Sequence, residues 1–429
     1  MTAAASLAAI RLPAVHAAGD NTIRLALVGC GGRGTGAARD ALSSATGPTE
    51  LVAMADLFED RVARAHKLLG EQFPRQMDVP PERRFVGFDA YRKAIDCLRP
   101  GDVMIQATHA AFRPLHLKYA IEKGVHVFME KSFAPDPGGT REILRLGEEA
   151  KRKNLKIGCG LMCRHSAARQ AMIGKIREGA LGEIITIRAY RMDSGLRLGP
   201  FKGGQNELLW QLRRPYFFHW VSAGWFIEWM IHQVDECCWI KDAWPVAASG
   251  MGGREPGSDD CSQNLHTYAI EYTFADGTKA FVNGRQQPHC ENQFATWVHG
   301  SKCAGQFSGN AHAPTARIYK NHNCTPDNIV WQPAKEPKTP YQAEWDALLT
   351  AIREDRPHNE VARSAYANLV SIMGRAAVHM GRTVTWNEVM ASDFRFCQNV
   401  EFTPDSPPPV KADPQGRYPL PIPGQWTEI

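Results

Sequence analysis

The sequence predicts an α/β domain built on a doubly wound parallel sheet, followed by an α+β domain with an open-faced, mostly antiparallel sheet. Three observations predict it. Between residues 23 and 161, apolar runs of strand length alternate with helix-length segments, the pattern of right-handed β–α–β crossovers. From Gly182 onward, short alternating segments follow one another, separated by turns such as Asp276-Gly277. A chain of 429 residues also exceeds what one ordinary core organises.

In order, residues 23–28 read as a buried strand, 35–42 as a helix and 51–55 as a second strand ending at Asp56. A charged helix at 58–69, a polar loop with Pro80-Pro81, a short helix at 91–98 and a strand at 102–107 ending at Thr108-His109 follow. A helix at 115–123 stops at Gly124, and strand 125–129, helix 141–153 and strand 156–161 complete the first half. Residues 182–191, 246–251, 267–274, 280–284 and 294–299 read as strands. A Gly-, Arg- and Trp-containing loop at 194–215 leads to a long apolar helix at 217–240, and 341–353 and 361–380 are amphipathic helices. The Pro-rich stretch 402–423 reads as an extended surface tail. The units expected are an arm or export-signal remnant (1–21), a nucleotide domain (22–157), a substrate and assembly domain (158–400) and the tail (401–429).

Gly29-Cys30-Gly31-Gly32-Arg33-Gly34 joins the first strand directly to its helix. Glycines let backbone turn tightly and approach a pyrophosphate, and a helix start offers free N–H groups to that anion. Asp56, at the end of the next strand, can accept hydrogen bonds from a ribose diol. Strand, glycines, helix and carboxylate in this order are the context that identifies a dinucleotide site. The Asp56 charge opposes a 2′-phosphate, so NAD is favoured over NADP; Arg61 comes late and could fold back.

A net charge of +5 without a long Lys/Arg run does not point to nucleic acid. No run of about 18 apolar residues occurs, so no membrane span is expected. Residues 1–20 are Ala-rich and contain Val15-His16-Ala17, which resembles the core and cleavage site of a twin-arginine export signal lacking its charged start. An exported and a cytoplasmic protein both stay open. The eleven cysteines form no CxxC pair and read mostly as small buried hydrophobes. Cys159 and Cys163 lack partners at ligand spacing, and no metal site is expected.

Ligands bind beyond the carboxyl ends of strands in open parallel sheets, which places Glu130-Lys131-Ser132 beside the cofactor. The Lys131 ammonium there could stabilise a developing alkoxide, or be a solvated surface lysine. Glu228, His232 and Asp235 share one face of the apolar helix. His232 is a natural general base with Glu228 to orient it, or the three form a buried packing cluster. Trp210, Trp220, Trp225 and Trp229, interleaved with Gln211, Arg213, Arg214 and His219, suit a sugar ring; for Trp225 and Trp229 core packing is the better reading.

With these residues, the chain resembles the glucose–fructose oxidoreductase / inositol dehydrogenase / rhizopine-catabolism (Gfo/Idh/MocA) family over nearly its whole length. The matching parts are the glycine motif, Asp56, Glu130-Lys131-Ser132, Arg164-His165, residues 179–184, Glu228…His232…Asp235, and Met373-Gly374-Arg375 through Thr383-Val384-Thr385-Trp386. The resemblance implies a Rossmann domain and a sheet domain that forms a homo-oligomer interface, dimer or tetramer. It places a catalytic trio on Lys131, Glu228 and His232, cofactor contacts at Gly29, Gly31, Gly32, Arg33, Gly34, Asp56, Thr108, His109, Glu130 and Lys131, and substrate contacts at Arg164, His165, Asp235, Trp220 and Arg213. Ser132 departs from the family's proline, Glu228 from its Asp, Met230 from its Gly, Arg113 from a common His and His109 from a proline. The implied activity is an NAD-dependent oxidoreductase acting on a ring hydroxyl of a sugar, glycoside or cyclitol. Alternatives are a redox-neutral glycosidase that recycles bound NAD, and a non-catalytic NAD-binding protein.

Overall fold

The computed structural model describes residues 21–309 and 315–429. The expected arm or signal at 1–20 lies outside them.

The first sheet comprises β1 (Ile23–Val28), β2 (Thr49–Asp56), β3 (Arg84–Val86), β4 (Val103–Gln106), β5 (His126–Met129) and β6 (Ile157–Cys159), in the order β3-β2-β1-β4-β5-β6. All its pairings are parallel. Helices α1 (Gly32–Leu42), α2 (Glu59–Gln72), α3 (Ala90–Ile95), α4 (Arg113–Glu122) and α5 (Pro137–Arg152) supply the crossovers. The order reverses between β1 and β4, where Val28 lies beside Gln106, so the strands diverge into a crevice there. β3 sits in the stretch read as a polar loop: three residues, two half-buried and one exposed, are too few to show a period.

The second sheet holds β7 (Ile184–Asp193), β8 (Ala247–Gly253), β9 (Thr267–Thr273), β10 (Lys279–Gln286), β11 (Gln293–Gly300), β12 (Ala304–Gly309), β13 (Arg317–Tyr319), β14 (Ile329–Trp331) and β15 (Val384–Thr385). Its order among the described residues is β14-β13-β12-β11-β7-β10-β9-β8-β15, antiparallel except for β7 with β10. Buried and exposed residues alternate along β9 and β10. The buried set packs on the helices that precede and follow the sheet, and the other face stays open.

Helix α6 (Ala167–Arg177) precedes β7, and α7 (Glu207–Leu212), α8 (His219–Ser222) and α9 (Gly224–Lys241) lie between β7 and β8. The single helix read over 217–240 is therefore two. Ala223 and Gly224 take positive φ, +74° and +75°, and break it. A side chain at Gly224 would also meet Asn264 Oδ1 at 2.9 Å, so the break has no room for a larger residue.

Two further expectations change. Helix α10 (Pro340–Arg353) returns to the first domain, where Trp345, Leu348 and Leu349 join the core around β1 and β4. A cut after residue 157 thus does not separate the nucleotide half from the rest. Helix α11 (Val361–Met380) packs on α9 and the second sheet. The tail does not merely lie over the surface: Tyr418 is buried, and Glu428 is wholly enclosed against Arg375 and His379. Among the described residues no helix is long and apolar enough to cross a membrane, and the eleven cysteines are all free thiols.

Candidate active site

A cleft of about 1010 Å³ runs along the carboxyl ends of β1, β2, β4 and β5, from the glycine loop to Lys131 and Glu228. The glycines divide into two kinds. A Cβ at Gly29 would lie 2.6 Å from the Ala107 carbonyl carbon, and one at Gly34 would lie 1.9 Å from the Gly29 oxygen. These two let β1, α1 and β4 approach. At Gly31 and Gly32 a Cβ would meet nothing within 4 Å. The open space in front of α1 is thus bare backbone, and no side chain caps the helix start. Unsatisfied N–H groups and the positive dipole end face that space, a cradle that fits a pyrophosphate.

Asp56 is nearly buried at the cleft wall. Its Oδ2 accepts from the Cys30 amide at 2.7 Å and its Oδ1 from the Phe58 amide at 3.0 Å. Burial pushes its carboxyl up, and the Phe58 amide, Arg61 and the Cys30 amide pull it back. Each oxygen retains a lone pair for a ribose hydroxyl. Arg61 does fold back, as does Arg213 from the loop inserted between β7 and α8: their guanidinium carbons sit 5.0 and 3.9 Å from the Phe58 ring centroid. Arg213 also donates to Asp60 at 2.8 Å.

Arg33 leaves the glycine loop to donate twice to Glu130 Oε1, at 3.1 and 2.5 Å, while stacking over Tyr341 of α10. Thr108 and His109 line the cleft at the end of β4. Burial and Arg61 push His109 down to about 3, so its ring is neutral, and its Nε2 donates to the Leu212 carbonyl at 2.9 Å. That bond ties the inserted loop to the β4 turn.

Lys131 and Glu228 meet in the cleft. Lys131 Nζ donates to the Glu228 carbonyl at 2.5 Å and to its Oε2 at 3.2 Å. Ser132, after a cis peptide bond, donates to Glu228 Oε1 at 3.2 Å. Arg113 is buried behind this turn and donates to the carbonyls of Thr108, at 3.0 and 2.8 Å, and of Lys131, at 3.1 Å. It thereby joins the ends of β4 and β5. Burial lowers its guanidinium to about 10, against the opposing charges of Glu228 and Glu130.

His232 lies one turn further along α9, buried, and does not line the cleft. Four expected substrate contacts are likewise placed elsewhere. Arg164 grips Asp235 at 2.8 and 2.7 Å and covers Trp239. His165 is bonded to Glu360 at 3.0 Å. Trp220 is a core residue whose Nε1 donates to Gln211 Oε1 at 2.7 Å. None of these four lines the cleft, because protein groups already satisfy their polar atoms, whereas Arg213 does line it. Ser132, Arg113 and Tyr216, which also lines the cleft, were not singled out as site residues. The departures at 113 and 132 were the available signal for two of them.

No protein-family model matches the chain, and no curated protein matches it in sequence. Solved structures share its fold. The aldose–aldose oxidoreductase of Caulobacter crescentus, complexed with glycerol, aligns with a TM-score of 0.65 at 19% identity over 85% of this chain and 99% of that one. The scyllo-inositol dehydrogenase of Lactobacillus casei, with bound NAD(H) and scyllo-inositol, aligns at 0.63 and 18% identity over 85% and 99%. A putative myo-inositol dehydrogenase of Sinorhizobium meliloti aligns at 0.60 and 18% identity over the same shares.

Proposed function

We propose that this protein is an NAD-dependent oxidoreductase of the Gfo/Idh/MocA type, which transfers hydride between a ring carbinol of a sugar, glycoside or cyclitol and nicotinamide. The observation that carries the reading is the Lys131–Glu228 contact, 3.2 Å, in the cleft that begins at the glycine loop. The likeness in fold to structures named for aldose and inositol oxidation supports the substrate class.

Gly31, Gly32 and the first turn of α1 would hold the pyrophosphate, and Asp56 the ribose diol. Its charge favours NAD over NADP. When bound, the nicotinamide ring supplies the hydride acceptor. The Lys131 ammonium donates to the substrate oxygen and stabilises its developing charge. The hydroxyl proton leaves toward α9, where Glu228 faces the cleft and His232, one turn on, is the base we assign to it. Arg213 would border the cofactor rather than the sugar. The outer face of the second sheet, where β7 and β10 expose Ile185 and Phe281, is the surface proposed for a second copy of the chain.

NADH formation from a panel of sugars and cyclitols tests the reading, with Lys131→Ala as the control. Turnover of that variant within a few-fold of wild type sinks the role of Lys131. The inserted loop bridges the cleft through Arg213–Asp60 and His109–Leu212, which favours a cofactor retained between turnovers. Absorbance and mass analysis of the denatured protein decides that point. Stoichiometric NAD directs the search to sugar pairs and glycosides turned over without added NAD; an empty protein points to a dissociable dehydrogenase.

A further inference from the structure

Beyond Asp56 the cleft continues into a second chamber of about 500 Å³. Leu57, Phe88 and Phe112 of the first domain form its inner walls, and Val400 and Phe402 of the tail form its outer one. Leu57, Phe88 and Phe112 line both cavities, so the two adjoin. The Phe402 ring packs against both Phe88 and Phe112, with centroids 6.1 Å apart in each pair, so the three rings form one aromatic cluster on the chamber wall. The tail segment is fixed on both flanks. Arg92 pairs with Glu401 at 3.2 Å, and Asn206 Nδ2 donates to the Pro404 carbonyl at 2.6 Å. Trp220 backs the Phe402 ring edge-on at 5.6 Å, which gives that tryptophan its place.

A dinucleotide with its pyrophosphate at α1 and its ribose diol on Asp56 has Lys131 at one end. Its base must therefore fall on the other side of that ribose, where the chamber opens. A purine is a flat π-surface, and base stacking on aromatic side chains is favourable for any base. We propose that residues 400–404 of the tail form the outer wall of an adenine subsite, with Phe402 as the ring against which the base packs. The inference rests on the reading that the cleft takes a nicotinamide dinucleotide. It gives a segment some 340 residues from Asp56 in sequence a part in holding the cofactor.

Calorimetric titration of wild type, Phe402→Ala and Phe402→Leu with NAD, AMP and nicotinamide mononucleotide tests it, with thermal melts on each protein. The expected result is AMP and NAD affinity lowered about tenfold by alanine and less by leucine, with the mononucleotide unchanged. If the alanine variant does not fold, the leucine variant carries the same comparison. Equal AMP affinity in all three proteins overturns the proposal while leaving the cofactor reading intact. So does an equal loss for AMP and the mononucleotide. A wild type that carries no bound cofactor when denatured and takes up neither NAD nor, in a parallel titration, NADP overturns the cofactor reading and this inference with it. Photolabelling of wild type by 8-azido-AMP gives a direct readout: label on the peptide containing Phe402 supports the subsite, and label confined to other peptides overturns it.

Discussion

Ser132 donates its hydroxyl to the Glu228 carboxylate at 3.2 Å, on the oxygen opposite the one Lys131 holds. The carboxylate is thus gripped from both sides, and its plane is set by two residues adjacent in sequence. Ser132→Ala leaves Lys131 in place and frees one oxygen. A hydrogen bond to a charged group contributes roughly 1.5–3 kcal/mol. The expected outcome is kcat lowered about tenfold with KM for NAD little changed, checked by steady-state kinetics.

Arg113 gathers the part-buried backbone carbonyls of Thr108 and Lys131. Arg113→Met keeps the bulk and removes the donors. It is expected to destabilise the protein by ~2–5 kcal/mol, read by urea unfolding, because each orphaned group costs about 1–3 kcal/mol. NAD affinity should fall with it, since the turns after β4 and β5 lose their tie. Arg113→Lys reaches with one nitrogen and restores only part of both.

Glu344 on α10 is fully buried, with neither side-chain oxygen hydrogen-bonded to protein. Burial, then the Glu130 charge, pushes its carboxyl well above the usual range. The folded protein therefore keeps a proton that the unfolded chain releases at about pH 4.3. Fewer protons on the unfolded state mean stability falls as pH rises through the window above that value, up to the raised folded pKa. Glu344→Gln removes this slope. Melting temperatures from pH 5 to about 8 should decline less in the variant than in wild type; parallel curves refute the assignment.

Glu428, one residue from the end of the chain, accepts from Arg375 Nε at 2.8 Å and His379 Nδ1 at 2.9 Å, with Arg375 and Glu428 completely buried. Arg375 also donates to the Ala223 carbonyl at the break before α9. Burial would raise the Glu428 carboxyl, and Arg375 and His379 hold it below its usual range. Its stabilisation is present above about pH 4.3 and is lost as pH falls through the lowered value. Glu428→Gln leaves a buried guanidinium unpaired and is expected to cost ~3–5 kcal/mol by chemical denaturation. Because the lost anchor lies at the start of α9, activity should fall further than unfolding alone accounts for.

That the glycine loop, Asp56 and Lys131 share one cleft was legible because their placement is local: a strand, a turn and a helix in sequence fix where each side chain goes. Helix α11 was legible to the residue, since twenty residues give its period several repeats. The pairings of Arg164 with Asp235 and of His165 with Glu360 were not. Their chemistry suited a ligand, and the partners that use it up lie 71 residues apart in the Arg164–Asp235 pair and 195 in His165–Glu360. Nor was the bond of Trp220 to Gln211, which holds that indole in the core. The tail's return to Arg375 leaves no period at all, only a glutamate at position 428 beyond a run of prolines and polar residues.

The return of α10 to the nucleotide half has a consequence for synthesis. Trp345 stacks on Phe128 of β5 at 4.3 Å between centroids, and Leu348 and Leu349 complete the same core. That surface belongs to the half that leaves the ribosome first. It waits, uncovered, while nearly two hundred further residues are made, so a protein truncated before 340 would display a sticky apolar scar on an otherwise complete sheet.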